Sequence, residues 1–384
     1  MPEGLLSGIR LLDLTNVLAG PYCAYQFALL GADVIKVEAP GGGDLARRLG
    51  ADAALNRAGM GASFLAQNAG KRSVVLDLKD PGDRERFLAL VDTADALVEN
   101  FRPGVMGRLG LGAEGLRARN PRLVYCAISG FGQTGPLKGN PAYDQIIQGL
   151  SGVMSITGTP EAAPLRAGYP VADTLGGIVG AFAIAAALVR AKATGTGATL
   201  DVSMLESMLS ALGWPVSNWL TAGVEPRPAG NENLTAAPSG TFRTGDGLLN
   251  IAANKQEQFE TLARLIGRPD LAADPRFADR EARKTNRAAL SPEIEAALAA
   301  DTAAAWEARL NAAGVPAGRV LTIPEVLAEP QVAARGLLHR FETVPGTDRP
   351  LTVLRGGFLV DGAAPAPGSP PPRLGAHQAE VLDG

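Results

Sequence analysis

Residues 9–39 read IRLLDLTNVLAGPYCAYQFALLGADVIKVEA. Two apolar runs, IRLLDLT (9–15) and DVIKVEA (33–39), flank PYCAYQFALLGA (21–32), a helical pattern that stops at Gly31. Strand, helix, strand in so short a span is the repeating unit of a parallel sheet. The pattern continues beyond the glycine turn GGGD (41–44). KRSVVLDL (71–78) reads as a strand, DRERFLALVDTA (83–94) as a helix and DALVENF (95–101) as a strand. A helix near 113–119 and a strand in PRLVYCAISGFG (121–132) follow. The expected class is α/β, with helices on the faces of a parallel sheet.

Farther on, a helix is expected from about 143 to 153 and a long one from 174. GTGATLD (195–201) should end that helix and lead into another near 201–213. From 222 to 240 the composition shifts to Pro, Gly, Asn and Ser, as in a linker or crossover. Strands in TFRTGDGLLNIAA and amphipathic helices around 255–267 and 279–312 suggest a smaller second domain over 241–328. The tail 331–384 returns to strand-like runs and a Pro-rich stretch, APAPGSPPPRLG.

Composition narrows the function. The 384 residues are 46% hydrophobic and 20% charged with a net charge of −3, and no basic tract with interleaved aromatics points to nucleic acid. The N-terminus has Glu3 and no basic region before its apolar residues, unlike a secretory leader. The uncharged run Thr174–Val189 falls short of the roughly 20 apolar residues a bilayer helix needs, so a buried helix is expected. Cys23 and Cys126 form no disulfide framework or metal spacing, so the cytoplasm is the default and no metal is expected. The only histidines, His339 and His377, lie near the C-terminus, beside no Ser, Cys or ligand motif. Chemistry must then rest on carboxylates, Tyr, Lys, Arg or backbone dipoles.

Asp173 opens the uncharged run and has two readings. It is among the best N-cap residues. It is also a carboxylate at a helix N-terminus, whose partial positive charge should keep it ionised as a nucleophile. The GGG of 41–43 has no following G-K-[ST] and reads as a structural turn. Lys71, Arg72, Lys79, Arg102 and Arg108 flank expected strands, where an open α/β sheet binds phosphorylated ligands. Singly, each is an ordinary surface charge.

Taken together, several stretches resemble the class III CoA-transferases, the group that includes formyl-CoA transferase, carnitine CoA-transferase and alpha-methylacyl-CoA racemase. They are SGIRLLDLTNVLAGPYCAYQFALLGADVIKVEAPGGGD, NAGKRSVVLDLKDP, ALVENFRPGVMGRLGLG, LVYCAISGFGQTGP, PAYDQIIQGLSGVMSITG, VADTLGGIVGAFAIAAAL and KATGTGATLDVSMLES. RPDLAADPRFADREAR and GVPAGRVLTIPEVLAEPQVAARG extend the likeness over essentially the whole chain. The resemblance implies a Rossmann-like large domain built from both chain ends (1–220 and 331–384), a smaller α+β domain (221–330) and an interlinked homodimer. It places Asp173 as the nucleophile, with Tyr143 and Asp144 bordering the active site. It places Val17, Ala19, Leu76, Lys79, Asn100, Phe101 and Arg108 along the CoA site, with Arg102 adjacent.

The implied activity moves CoA from an acyl-CoA thioester to a free carboxylic acid, a dicarboxylate among the candidates, through an aspartyl-CoA thioester. Coenzyme A is then substrate and carrier, with no prosthetic group and no nucleic-acid or membrane partner. The formyl-CoA enzyme carries Gln where Leu18 stands and Arg where Ala39 stands, and its glycine loop has no counterpart in 225–245. These departures argue against oxalate or formate. The racemase carries His where Tyr143 stands, which argues against racemisation, the main alternative. A binding protein or dehydrogenase on a Rossmann-like sheet is the third reading, and it lacks the glycine fingerprint. Arg166 and Lys138 are candidates to pair with a second substrate carboxylate, and ordinary surface charge explains each equally well.

Overall fold

Strand β1 (Arg10–Leu14) sends Leu11 into one hydrophobic layer and Leu12 and Leu14 into another, all of them buried. The same alternation continues in β2 (Asp33–Glu38), with Val34 on one face and Ile35 on the other. Strands buried on both faces require helices on both faces. The computed structural model, which describes residues 4–383, supplies them. Helix α1 (Ala19–Leu29) follows β1, and α2 (Pro81–Thr93) joins β3 (Lys71–Val75) to β4 (Ala96–Glu99). Helix α3 (Ala113–Arg119) leads to β5 (Val124–Ser129). Then come α4 (Asp144–Leu150), α5 (Val171–Thr194), β6 (Thr199–Ser203), α6 (Met204–Ala211) and α7 (Gly213–Ala222).

The six strands are parallel, in the order β3-β2-β1-β4-β5-β6. Strand order reverses between β1 and β4, and an open α/β sheet binds its ligand at that crevice. One expectation fails here. The segment 199–203 is a strand paired with β5, Cys126 opposite Leu200, and the next helix starts only at Met204. The Ser203 hydroxyl accepts the N–H of Glu206 and sets that boundary.

Helix α5 is long and apolar enough to cross a membrane by composition, but here it is a packing element. A Cβ on its Gly177 would lie 2.5 Å from the Ala19 carbonyl oxygen, so only glycine lets α5 approach α1 this closely.

The chain forms two compact units. The larger comprises the chain up to Val153, Arg166–Glu225 and everything from Pro330. Its C-terminal part adds the hairpin β10 (Leu338–Phe341) and β11 (Leu351–Leu354), then a tail along edge strand β3. There Ser73 N–H donates to His377 Nδ1, and Val75 exchanges two hydrogen bonds with Gln378. The tail thereby satisfies the sheet edge. The smaller unit comprises Met154–Leu165 and Pro226–Glu329. Its antiparallel sheet, β7 (Ser239–Arg243), β8 (Leu248–Ala252) and β9 (Ala317–Arg319), packs with helices around Phe242, Leu249, Phe259, Phe277 and Trp306.

Candidate active site

The loops leaving β1 and β4 part at the switch point and open a cavity of about 380 Å³ in the larger unit. Asn16 to Ala19 form one wall and Asn100 to Pro103 another. The two loops are tied together: Asn100 accepts the Asn16 N–H through Oδ1 and donates to the Asn16 carbonyl through Nδ2, each at 2.8 Å. Leu45, residues 128–131 at the end of β5, the 138–143 loop, Met204 and Asp173 complete the lining.

Asp173 is the one carboxylate among the described lining residues. The sequence allowed it to cap the helix, and the structure does not. Helix α5 begins at Val171, and Asp173 lies within its first turn. The cap comes from outside the helix. Asp144 Oδ1 accepts the N–H groups of Ala172 (2.8 Å) and Asp173 (3.3 Å). Gln148 donates to Asp144 Oδ2 at 2.6 Å, accepts the Ala167 N–H and donates to the Tyr169 carbonyl. Asp144 and Gln148 are both buried, so this clamp fixes residues 167–173 and with them the nucleophile candidate.

The ionised form of Asp173 is not favoured, contrary to the expectation from the helix dipole. Burial, with the nearby Asp144 carboxylate second, raises its pKa from 3.8 to about 7. Its own carboxylate accepts no hydrogen bond from a described residue to offset that. Nearby, Glu99 at the end of β4 is also pushed up to about 7, chiefly by burial. It accepts the Phe101 N–H and the Tyr125 hydroxyl, and so shapes the 100–103 wall.

The cavity brings together Val17, Ala19, Asn100, Phe101, Arg102, Tyr143 and Asp173. Tyr143 is 68% exposed at its rim. Four other expected site residues do not line it. Asp144 sits at the N-terminus of α5 as the clamp described above. Leu76 is buried in the sheet core, while Lys79 and Arg108 are exposed outside the cavity. Of the basic set, Lys71 is buried against Asp13 and Arg72 pairs with Asp33 and Glu380. Both lie at the start of β3, away from the strand ends where ligands bind.

Ser129, Asn140 and Met204 also line the cavity and carried no signal in the sequence, because the fold gathers them from the end of β5, the loop after it and the end of β6. Lys138 and Arg102 are its cations, and neither side chain has a described partner. A larger groove of about 690 Å³ lies in the smaller unit. Its one ionisable lining residue, Glu232, pairs with Arg287 at 3.3 Å, so the switch-point cavity is the stronger candidate site.

Known proteins share this architecture. The model for CoA-transferase family III matches residues 6–378. The acetyl-CoA:oxalate CoA-transferase of Acetobacter aceti is 43% identical over 341 residues, covering 88% of this chain and 86% of that protein. The succinate–glutarate CoA-transferase of Agrobacterium fabrum is 40% identical, covering 98% and 94%. The crystal structure of Rv3272 from Mycobacterium tuberculosis superposes with a TM-score of 0.87 at 34% identity, covering all of both chains. With its single-carboxylate switch-point cavity, a chain matched nearly end to end by this family's model belongs to CoA-transferase family III.

Proposed function

We propose that this enzyme transfers CoA from an acyl-CoA thioester to a dicarboxylic acid through covalent intermediates on Asp173. The observation that carries the reading is the position of Asp173, alone among carboxylates in a cavity bounded by the expected CoA-contacting loops. An Asp173 carboxylate oxygen attacks the thioester carbonyl, and collapse of the tetrahedral adduct breaks the C–S bond and releases CoA thiolate. The thiolate then attacks the aspartyl carbonyl of the mixed anhydride. The donor acid leaves as a carboxylate, and Asp173 is left as its CoA thioester. The acceptor carboxylate attacks that thioester, expels thiolate and forms a second anhydride. Thiolate attack at the acceptor's carbonyl then yields the new acyl-CoA and frees Asp173.

Val17, Ala19, Asn100, Phe101 and Arg102 form the wall against which CoA lies in this reading, and Tyr143 sits at the rim beside the acyl group. Asp144 acts by positioning Asp173. Lys79 and Arg108, exposed outside the cavity, remain available to the CoA phosphates. Leu76 offers no side-chain contact. The dicarboxylate acceptor rests on relatives named for oxalate and for succinate and glutarate. The oxalate-acting relative keeps oxalate among the candidates despite Leu18 and Ala39. Exposed Ile178, Phe182 and Val189 on α5 and Trp214, Trp219 and Leu220 on α7 fit burial in an interlinked homodimer. The two unpaired cysteines fit a reducing cytoplasm.

The test is trapping. Wild type incubated with succinyl-CoA or acetyl-CoA and hydroxylamine should gain a hydroxamate at Asp173 alone, read by peptide mass spectrometry. Asp173→Ala should stay folded and exchange no CoA among oxalate, succinate and glutarate. Persistent exchange in that variant removes Asp173 from the mechanism.

A further inference from the structure

Four buried charges lie behind the 15–18 loop, and the transfer chemistry uses none of them. They are Asp13 on β1, Lys36 on β2, Lys71 on β3 and Asp44 beyond β2. Lys71 Nζ donates to Asp13 Oδ2 at 2.8 Å and to the Pro21 carbonyl at 2.9 Å. Lys36 Nζ donates to the Thr15 carbonyl at 2.8 Å and stands 3.0 Å from Asp44 Oδ2 and 3.6 Å from Asp13 Oδ2. Desolvation takes back much of what such pairs gain, so a buried cluster of ions is weak evidence for stability. Its geometry shows what it holds instead.

Val17 has φ +70°, in the left-handed region that β-branched residues avoid. Its N–H and C=O therefore join neither β1 nor α1, and both need other partners. Asp44 Oδ1 accepts the Val17 N–H at 2.9 Å, and Gln67 Nε2 donates to the Val17 carbonyl at 2.9 Å. Asp44 is itself fixed from two sides, by Lys36 at Oδ2 and by Glu38, which accepts its backbone N–H. A strained turn persists only where its surroundings over-determine it, as they do here. The turn carries Val17, Leu18 and Ala19 to the cavity wall, while Asp44 and Gln67 do not reach the cavity.

We infer that Asp44 and Gln67 are positioning residues for CoA binding. They hold the Thr15–Leu18 turn preformed, and the buried lysines hold Asp44 in place. The inference rests on the reading of this cavity as the acyl-CoA site. A wall that does not have to be ordered on binding spares the ligand that cost in affinity.

The experiment is calorimetric titration of CoA into the full-length enzyme and three variants. Gln67→Met keeps the volume, removes one donor and leaves no charge unpaired. Asp44→Ala removes the acceptor, and Asp44→Asn keeps an oxygen for the Val17 N–H. Gln67→Met and Asp44→Ala should weaken CoA binding about tenfold, the loss of one well-aligned hydrogen bond. Asp44→Asn keeps the acceptor but loses the Lys36 pair, so it should bind more tightly than Asp44→Ala and less tightly than wild type. At saturating acyl-CoA, Gln67→Met should label Asp173 with hydroxylamine at the wild-type rate, because the defect lies in binding. A general structural role would lower the melting temperature and leave affinity at 20 °C unchanged. Gln67→Met that folds and binds CoA like wild type overturns the inference, as does Asp44→Asn binding as weakly as Asp44→Ala. Because Gln67→Met stands on its own, misfolding of Asp44→Ala does not blunt the test. Weak CoA binding by Gln67→Met supports the inference whether or not wild type is labelled at Asp173, so the two readings fail separately.

Discussion

Substituting Asp173 by Asn should stabilise the enzyme, and only where the pH is high enough to ionise the carboxylate. Burial and Asp144 raise the Asp173 pKa from 3.8 to about 7. Between those values the folded protein holds a proton that the unfolded chain has released, so stability falls as pH rises through this window. Below pH 3.8 both states are protonated and the penalty vanishes. Above 7 it is complete, at about 4 kcal/mol for a shift of this size. At pH 5 the same relation gives under about 2 kcal/mol. Asn is nearly isosteric and carries no charge. Asp173→Asn should therefore gain about 2–3 kcal/mol more over wild type at pH 8 than at pH 5. Glu99 titrates in the same range but is common to both proteins, so it cancels. Parallel urea denaturations at the two pH values, followed by circular dichroism, make the measurement. An equal difference at both would mean that Asp173 keeps an ordinary pKa when folded, and the account of its environment would be wrong.

Transfer should require the Asp173 carboxylate, so kcat/KM for the acyl-CoA should rise with pH and level off above about 7, and Glu99→Gln should leave that limb in place if it belongs to Asp173. Asp144→Asn keeps an oxygen for the Ala172 N–H but removes the neighbouring charge, so the limb should move to lower pH; a limb that stays put denies Asp144 its share in the shift. Gly177→Ala should destabilise by about 1–3 kcal/mol, because the new Cβ meets the Ala19 carbonyl rather than a movable side chain; a neutral effect in thermal melts would contradict the packing of α5 on α1. In D2O, a 2-methylacyl-CoA should take up no deuterium at its α-carbon, since Tyr143 is exposed at the rim and Asp173 is the one carboxylate among the described lining residues; uptake without CoA exchange would favour racemisation.

The sheet was legible because each strand–helix unit announces itself locally, through apolar runs of strand length ended by glycine. Where tertiary pairing decides, local reading fails. Residues 199–203 alternate polar and apolar over only five positions, and pairing with β5 makes them β6. The candidate site was legible in the carboxylate proposed as its nucleophile and hidden in that residue's supports. Asp173 stands out as a lone charge before a long uncharged run, whereas its clamp, Asp144, lies 29 residues away on another helix. Asp44 closes the GGGD turn and looks like part of it, yet it reaches back 27 residues to Val17. Lys71 looked like a surface cation for phosphate, and only the fold shows it buried against a residue 58 positions earlier.

Those hidden supports bear on the chemistry proposed for Asp173. Attack on a thioester expels a thiolate, whose conjugate acid has a pKa of about 8.5 in an ordinary thiol. A carboxylate with an ordinary pKa of 3.8 is a far weaker base than the thiolate it must displace, so the mixed anhydride lies steeply uphill. Raising the Asp173 pKa to about 7 brings nucleophile and leaving group closer together. The cost is that near neutral pH only about half of the empty enzyme holds the reactive carboxylate form, as expected for a group titrating at the working pH. A helix-capping Asp173 would have had the opposite balance: its carboxylate would accept backbone N–H groups, its pKa would fall, and it would attack poorly. Giving the capping bonds to Asp144 removes those stabilising partners from Asp173 and adds a like charge beside it. In the proposed mechanism, moving the cap to Asp144 is what leaves Asp173 free to react.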